Sequence, residues 1–197
     1  MKPQPTEHIR PARAVDVPAL MALRTEAERW LSTKGTDQWS DPETGSTAIG
    51  KWRAAIDDGR SWVVVGGDTG EILATVSRGP ADRDFWTADD RPESGFYLYK
   101  LIVARAAKGQ RLGVRVLDWA SRVAALEGRE WVRIDTWRTN TDLHAYYERL
   151  GFDHVRTEAP SHRRSGWLAQ RPATELALPD HLLEPGDRCA LAQVSSA

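Results

Sequence analysis

Apolar positions along this chain change their period several times, and each change marks an element. "HIRPAR" (His8–Arg13) reads as a short strand. Leu20, Leu23, Ala27, Trp30 and Leu31 then follow helical spacing, with Asp16 as N-cap and Pro18 in the first turn. Ser32–Ser46 is loop-like, and a second helix carries Ile49, Trp52 and Ile56 on one face with Gly59 beyond its end. "SWVVVG" and "EILATVS" flank "GDTG" and predict a β-hairpin. A polar, charged loop spans Gly79–Gly95, followed by the apolar run "FYLYKLIV" (Phe96–Val103), a strand. Leu112, Val116, Trp119, Val123 and Leu126 share one face of a helix over Leu112–Leu126, and Arg111, Arg115, Asp118 and Arg122 share another. "WVRIDTW" (Trp131–Trp137) alternates as a strand does, "TDLHAYYERLG" is a short helix closed by Gly151, and two further strands fall near Asp153–Thr157 and Leu168–Arg171. The order β-α-α-β-β-β-α-β-α-β-β predicts an α/β fold: a mixed sheet with helices on both faces.

Length and composition narrow the class. The 197 residues are 41% hydrophobic and 28% charged, which fits one folded domain with a sizeable core. The stretch after Thr174, with Pro179, Pro185 and "SSA", reads as a partly disordered extension, so we expect a domain over 1–173 and an extension over 174–197. A net charge of −1 gives no global pull toward nucleic acid or an anionic membrane, and no apolar run is long enough to cross a bilayer. The first residues lack the apolar stretch of a secretory signal, and the lone Cys189 excludes an internal disulfide framework. A cytoplasmic protein is expected. No His/Cys/Asp cluster has metal-ligand spacing, so no metal is expected either.

Charge is local rather than global. Lys100 to Arg115 holds five cations and no carboxylate. Neither G-x-x-x-x-G-K-[ST] nor G-x-G-x-x-G is present. What remains is Lys108-Gly109-Gln110-Arg111-Leu112-Gly113, leading directly into a helix. The first turn of a helix leaves amides unpaired and carries partial positive charge, and glycines let a ligand approach, so a pyrophosphate suits this place. Arg105, Lys108, Arg111 and Arg115 are at hand for further contacts. A solvated basic helix start with ordinary turn glycines has the same local composition.

Strand, loop and helix together resemble the acyl-CoA-binding motif of the GNAT acetyltransferase superfamily, roughly Arg/Gln-x-x-Gly-x-Gly/Ala. Lys108 stands at its first position, Gly113 matches the last small residue, and Arg111 departs from the central glycine. "NTDLHAYYERLGF" (Asn140–Phe152) is similar to the family's later motif, Asn-x-x-x-x-x-x-Tyr-Glu-x-x-Gly-Phe, at Asn140, Tyr147, Glu148, Gly151 and Phe152. The resemblance covers roughly residues 7–172. It implies a GNAT-like fold of about seven strands and acetyl-CoA as co-substrate, bound in a V-shaped cleft where Phe96–Val103 and Trp131–Trp137 splay apart. Backbone groups of Leu101, Ile102 and Val103 would pair with the pantetheine arm, and Lys108, Gly109, Gln110, Arg111, Leu112 and Gly113 would meet the pyrophosphate. Tyr147 is carried over as the acid that protonates the departing thiolate. Asn140 is either an N-cap, a cofactor contact, or both.

The resemblance also implies an acetyl transfer to the primary amine of a small molecule. A protein or peptide N-terminus as acceptor, and an acyl-CoA-binding module without turnover, are the alternatives. Acceptor recognition falls to Gly35–Trp39, the Gly79–Gly95 loop and Ser161–Trp167. Trp39, Asp37 and Trp86 are the pocket residues expected there, although Trp39 equally serves as a loop staple and Asp37 as a solvated carboxylate. Arg163 and Arg164 disfavour a polycationic acceptor. Glu26, Glu28, Glu93, Asp135 and His144 all remain open as the base. The sequence fits a monomer or a homodimer.

Overall fold

A computed structural model describes residues 7–40, 42–67, 69–174 and 184–185. Its elements are β1 (His8–Pro11), α1 (Val17–Ser32), α2 (Pro42–Asp57), β2 (Ser61–Val65), β3 (Ile72–Gly79), β4 (Gly95–Val103), α3 (Leu112–Leu126), β5 (Trp131–Trp137), α4 (Thr141–Glu148), β6 (Asp153–Thr157), β7 (Ser165–Pro172) and β8 (Glu184–Pro185). They form one open sheet in the order β6-β7-β5-β4-β3-β2-β1-β8. Seven strands follow the expected succession, and the two-residue β8 adds a parallel pairing to His8 and Ile9. The rest of the expected extension lies outside the described residues, beyond Thr174.

The sheet is covered on both faces because its strands sort their side chains by period. In β2 every residue is buried: Trp62 and Val64 join one core cluster, Val63 and Val65 the other. The first cluster packs Val116, Leu117 and Ala120 of α3 on Phe96, Leu98, Val132 and Ile134. The second packs Leu20 and Leu23 of α1 and Trp52 of α2 on β2 and Ile102. Trp119 lies against Trp62 with ring centroids 5.3 Å apart, whereas Leu126, at the frayed end of α3, is exposed. Among the described residues no helix is long and apolar enough to cross a membrane.

Two local expectations change. Helix α2 begins at Pro42, inside the stretch read as loop; a proline opens a helix readily because the first-turn amide has no helical partner anyway. Asp16 does not cap α1 with its side chain. Its carboxylate instead accepts from Arg10 (2.7 and 2.9 Å) and from the Arg13 amide at 2.7 Å, tying β1 to the start of the helix.

The feature that shapes the site is a parting of strands. Parallel β4 and β5 pair from Gly95↔Trp131 to Leu98↔Ile134 and no further. Beyond that point β4 stays with β3 (Ser77↔Tyr99, Thr75↔Ile102, Ala74↔Val103), and β5 stays with β7 (Asp135↔Leu168, Thr136↔Trp167). The β3–β4 register slips between Thr75 and Ser77, and Lys100 inside that irregularity has φ +53°, the left-handed region. Such a bulge bends and twists a strand, here away from β5.

Gly166 in β7 tests how tightly the outer sheet is built. Its φ is +131°, and an added Cβ would lie 2.6 Å from the Ala159 Cβ and 2.7 Å from the Glu158 carbonyl oxygen. Gly166→Ala is expected to cost about 2 kcal/mol or more, roughly 4–8 °C in melting temperature. Gly128→Ala, left-handed but with nothing within 4 Å, is expected to cost about 1–2 kcal/mol at most. Thermal denaturation checks the ranking.

Candidate functional site

The gap between β4 and β5 opens into a cleft with two lobes. The smaller, of about 300 Å³, is bordered by Leu101, Ile102, Val103, Asn140, Tyr146 and Tyr147. The larger, of about 650 Å³, is bordered by Lys51, Leu98, Tyr99, Lys100 and Asp135 among others. Gln38, Trp39, Leu101, Leu143 and Tyr147 border both, so the lobes meet at these side chains.

One edge of β4 faces this gap. The Ala104 amide donates to Leu73 at 2.8 Å, on the β3 side. Alternation along the strand then turns the backbone groups of Val103 and Leu101 the other way, to the edge β5 has left. Next comes the basic loop. Glu26 of α1 accepts from the Arg105 amide at 2.8 Å and pins the loop's start, and the Arg105 guanidinium lies 4.4 Å from the Trp30 ring. Arg115 pairs with Glu7 at 2.9 Å, and Lys108 and Arg111 are exposed.

The turn takes a left-handed backbone at two positions. Gly109 has φ +87° and Arg111 φ +55°. Glycine adopts this conformation freely, while a non-glycine residue there costs about 1–2 kcal/mol. Arg111 therefore keeps the turn's path rather than blocking it, with its side chain in solvent. No side chain caps α3 at Arg111, so the amides of Leu112, Gly113 and Val114 lack both helical and capping partners. Gly113 is needed for a close approach: a Cβ would sit 2.8 Å from the Tyr146 hydroxyl.

Tyr147 is 7% exposed and packs edge-on to Tyr146 (5.4 Å) and Phe152 (5.3 Å). Burial drives its phenol above the ordinary range, so it holds its proton at neutral pH. Asn140 caps α4, accepting from the Leu143 amide at 3.1 Å, and donates to Gln38 at 2.6 Å. Its capping role is thus present, and its other hydrogen bond holds the Gln38–Trp39 loop to α4.

Of the five carboxylates and histidines left open as a base, the structure brings one to the cleft. Glu26 is taken up by the Arg105 amide, Glu28 pairs with Arg24 at 2.7 Å, and Glu93 is exposed away from it. His144 stacks on Trp167 (4.3 Å, 5°) with its Nε2 2.8 Å from the Trp137 carbonyl oxygen. Asp135, one residue beyond the last parallel pair, borders the larger lobe. Burial pushes its carboxyl up to about 6, against the opposing effect of the Ser165 side chain.

The expected acceptor residues separate. Trp39 borders both lobes, with a left-handed φ of +60° and the Arg24 guanidinium 5.0 Å from its ring. Asp37 is a correction: it does not border the cleft. Its carboxylate accepts from Trp137 Nε1 (2.7 Å), Thr139 Oγ1 (2.6 Å) and Arg164 (3.4 Å), a clasp that fixes the loop carrying Trp39. Trp86 is a correction too. It is 1% exposed, edge-on to Tyr97 at 5.6 Å and 4.8 Å beneath Arg133, in a separate cluster with Phe85 and Leu168. Sequence reading missed Lys100, whose signal was a lone charge inside the apolar run "FYLYKLIV". Burial, together with Lys51, Arg24 and Arg60, lowers its ammonium to about 8.

Residues 22–152 match the model of the Acetyltransferase (GNAT) family. The chain is 31% identical over 153 residues to the uncharacterized N-acetyltransferase YesJ of Bacillus subtilis (strain 168), spanning 76% of this chain and 83% of YesJ. A GNAT-family acetyltransferase structure from Listeria monocytogenes shares the fold at a TM-score of 0.68 and 23% identity, over 84% of this chain and 94% of the other. So does the PaiA N-acetyltransferase of Thermoplasma acidophilum, solved in complex with coenzyme A, at 0.63 and 12% over 84% and 98%. The chain belongs to the acetyltransferase (GNAT) family and is an acyltransferase, as the matched segment and the shared fold together require.

Proposed function

We propose that this is a cytoplasmic enzyme that moves an acetyl group from acetyl-CoA directly to the primary amine of a small molecule. The observation that carries this reading is the meeting of the two lobes at Tyr147, with Asp135 on the larger side.

The smaller lobe has the features a CoA thioester needs. The open edge of β4 at Leu101 and Val103 offers backbone groups to the amides of a pantetheine arm. The uncapped start of α3, beside exposed Lys108 and Arg111, offers amides and positive charge to a pyrophosphate. Acetyl-CoA, when bound, supplies the activated acyl group. Asp135 then takes a proton from the acceptor ammonium, whose ordinary pKa is about 10, directly or through a water. The freed nitrogen attacks the carbonyl carbon while β4 amides steady the oxygen. As the carbon–sulfur bond breaks, Tyr147 would give its proton to the sulfur, and the second proton that the nitrogen sheds on becoming an amide would return to the phenolate through water. Burial keeps the Tyr147 proton in place until the thiolate forms, and a carboxyl raised to about 6 is suited to the first step. The support for this reading is the family membership, the coenzyme A bound by the Thermoplasma relative, and the placement of these two groups.

Thiol release from acetyl-CoA across a panel of small amines tests the reaction, and labelled acetyl-CoA with a peptide library tests the alternative acceptor. Tyr147→Phe is expected to lower kcat at least about tenfold while coenzyme A affinity by calorimetry stays within a few-fold; an unchanged kcat removes Tyr147 as the acid.

Asp135 yields two further outcomes. kcat/KM should rise through about pH 6 as the carboxyl ionises, and Asp135→Asn should lose both that limb and most of the activity. The folded carboxyl binds its proton more tightly than the unfolded one, so stability declines as pH rises from about 4 to about 6. Asp135→Asn removes that penalty and should melt higher than the wild type at pH 8, by an amount on the order of 2 kcal/mol. A variant that is active, or that melts lower, contradicts the assignment.

A further inference from the structure

The larger lobe is bordered by charge of both signs. Asp135 has Asp82, Arg163 and Ser165 as its electrostatic neighbours, and Tyr99 and Tyr147 both feel its charge. Lys100 has a different set: Lys51 of α2, Arg24 of α1, and Arg60 from the turn before β2. Asp135, Lys100 and Lys51 all border one cavity.

Most cations around this cavity are already matched. Arg78 pairs with Glu127 at 2.5 Å, Arg60 with Asp58, Arg163 with Asp82 and Asp84 (2.6 and 2.5 Å), and Arg24 with Glu28. Among the described residues, neither Lys100 nor Lys51 is within 4.0 Å of a carboxylate. Lys100 is half-buried, with its Nζ 5.2 Å from the Trp52 ring centroid. Its placement is also costly to the backbone, since the bulge holds it at φ +53°. Like charges gathered in a partly buried pocket repel each other, and an arriving anion relieves that repulsion. An apolar run that admits one lysine, on a bulge, beside a second lysine, is an arrangement that suits an anionic ligand.

Resting on the proposed acetyl transfer, we infer that the acceptor is an amino acid or a close analogue: a small amine that also carries a carboxylate or phosphonate, its anionic group held by Lys100 and Lys51 while its amine faces Asp135. Leu98, Tyr99, Ile134 and Trp137 border the same cavity and suit an apolar side chain. This explains why the pocket carries both signs of charge. A polyamine would be drawn to Asp135 and repelled by Lys100 and Lys51. A neutral amine would leave the two lysines unmatched.

Steady-state acetyl transfer by the full chain to the standard amino acids, their carboxamides and matching aminoalkylphosphonates tests this. At least one apolar amino acid or its phosphonate should exceed its carboxamide about tenfold or more in kcat/KM, a ratio that shrinks with added salt. Lys100→Met should bring that ratio within about threefold and Lys100→Arg should keep most of it; Lys51→Met, at an exposed position, should lower it as well if Lys100→Met folds poorly. Equal use of acids and amides by the wild type, or a ratio that Lys100→Met and Lys51→Met leave unmoved, overturns the inference while transfer itself stands. If no amine is acetylated, the proposed reaction fails instead, and calorimetry of N-acetylleucine against N-acetylleucinamide decides the anion site: equal affinities overturn it. Weaker binding of coenzyme A alone to Lys100→Met would assign the cations to the co-substrate and overturn it too.

Discussion

Two parallel strands that cannot stay together set everything else in this protein. Past Leu98 and Ile134, β4 and β5 follow different neighbours, β3 and β7, and the bulge at Lys100 turns β4 out of line. Backbone amides and carbonyls inside a protein need partners. A sheet that opens in its middle therefore either admits water or presents a ready edge to a ligand with amides of its own. Helix α3 follows β4 through the basic loop that leaves this edge.

The opening is held to shape by hydrogen bonds that cross between elements far apart in sequence. Asp37 clasps Trp137 and Thr139, Asn140 holds Gln38, and Glu26 accepts from the Arg105 amide. These ties connect α1 and its following loop to β5, α4 and the β4–α3 turn. They explain how Trp39 keeps a left-handed backbone while standing between the lobes. Strain at this half-buried tryptophan is offset by the ties at Asp37 and Gln38 just before it.

Much of the fold was legible because it rests on local rules. Helix α3 and strands β5 and β6 run over the residues that spacing assigns, and Gly59 and Gly151 end their helices with positive φ. Three misreadings share one cause: each depends on a partner outside the local pattern. Asp16 looks like a cap until Arg10 is seen beside it. Trp86 sits in a stretch of charged residues, and only Arg133, Arg156 and Tyr97 folding over it make it core. Asp37 resembles a solvated or ligand-facing carboxylate until the end of β5 and the turn after it bring Trp137 and Thr139 to it. The choice of Asp135 among five possible bases was likewise closed to sequence reading, since all five are acceptable chemistry and only burial and position separate them. Arg111 marks a different case. Where the motif has glycine, the Arg111 backbone is itself left-handed, a conformation that the sequence alone did not reveal.

Backbone amide shifts of the labelled protein titrated with coenzyme A test the account at its centre. The largest changes should fall on Leu101 and Val103 and on Gly109 to Val114, the open edge of β4 and the start of α3. Changes confined to the far side of the sheet, or no saturable binding, would mean that the parted strands do not receive this ligand, and the reading of the cleft would be wrong.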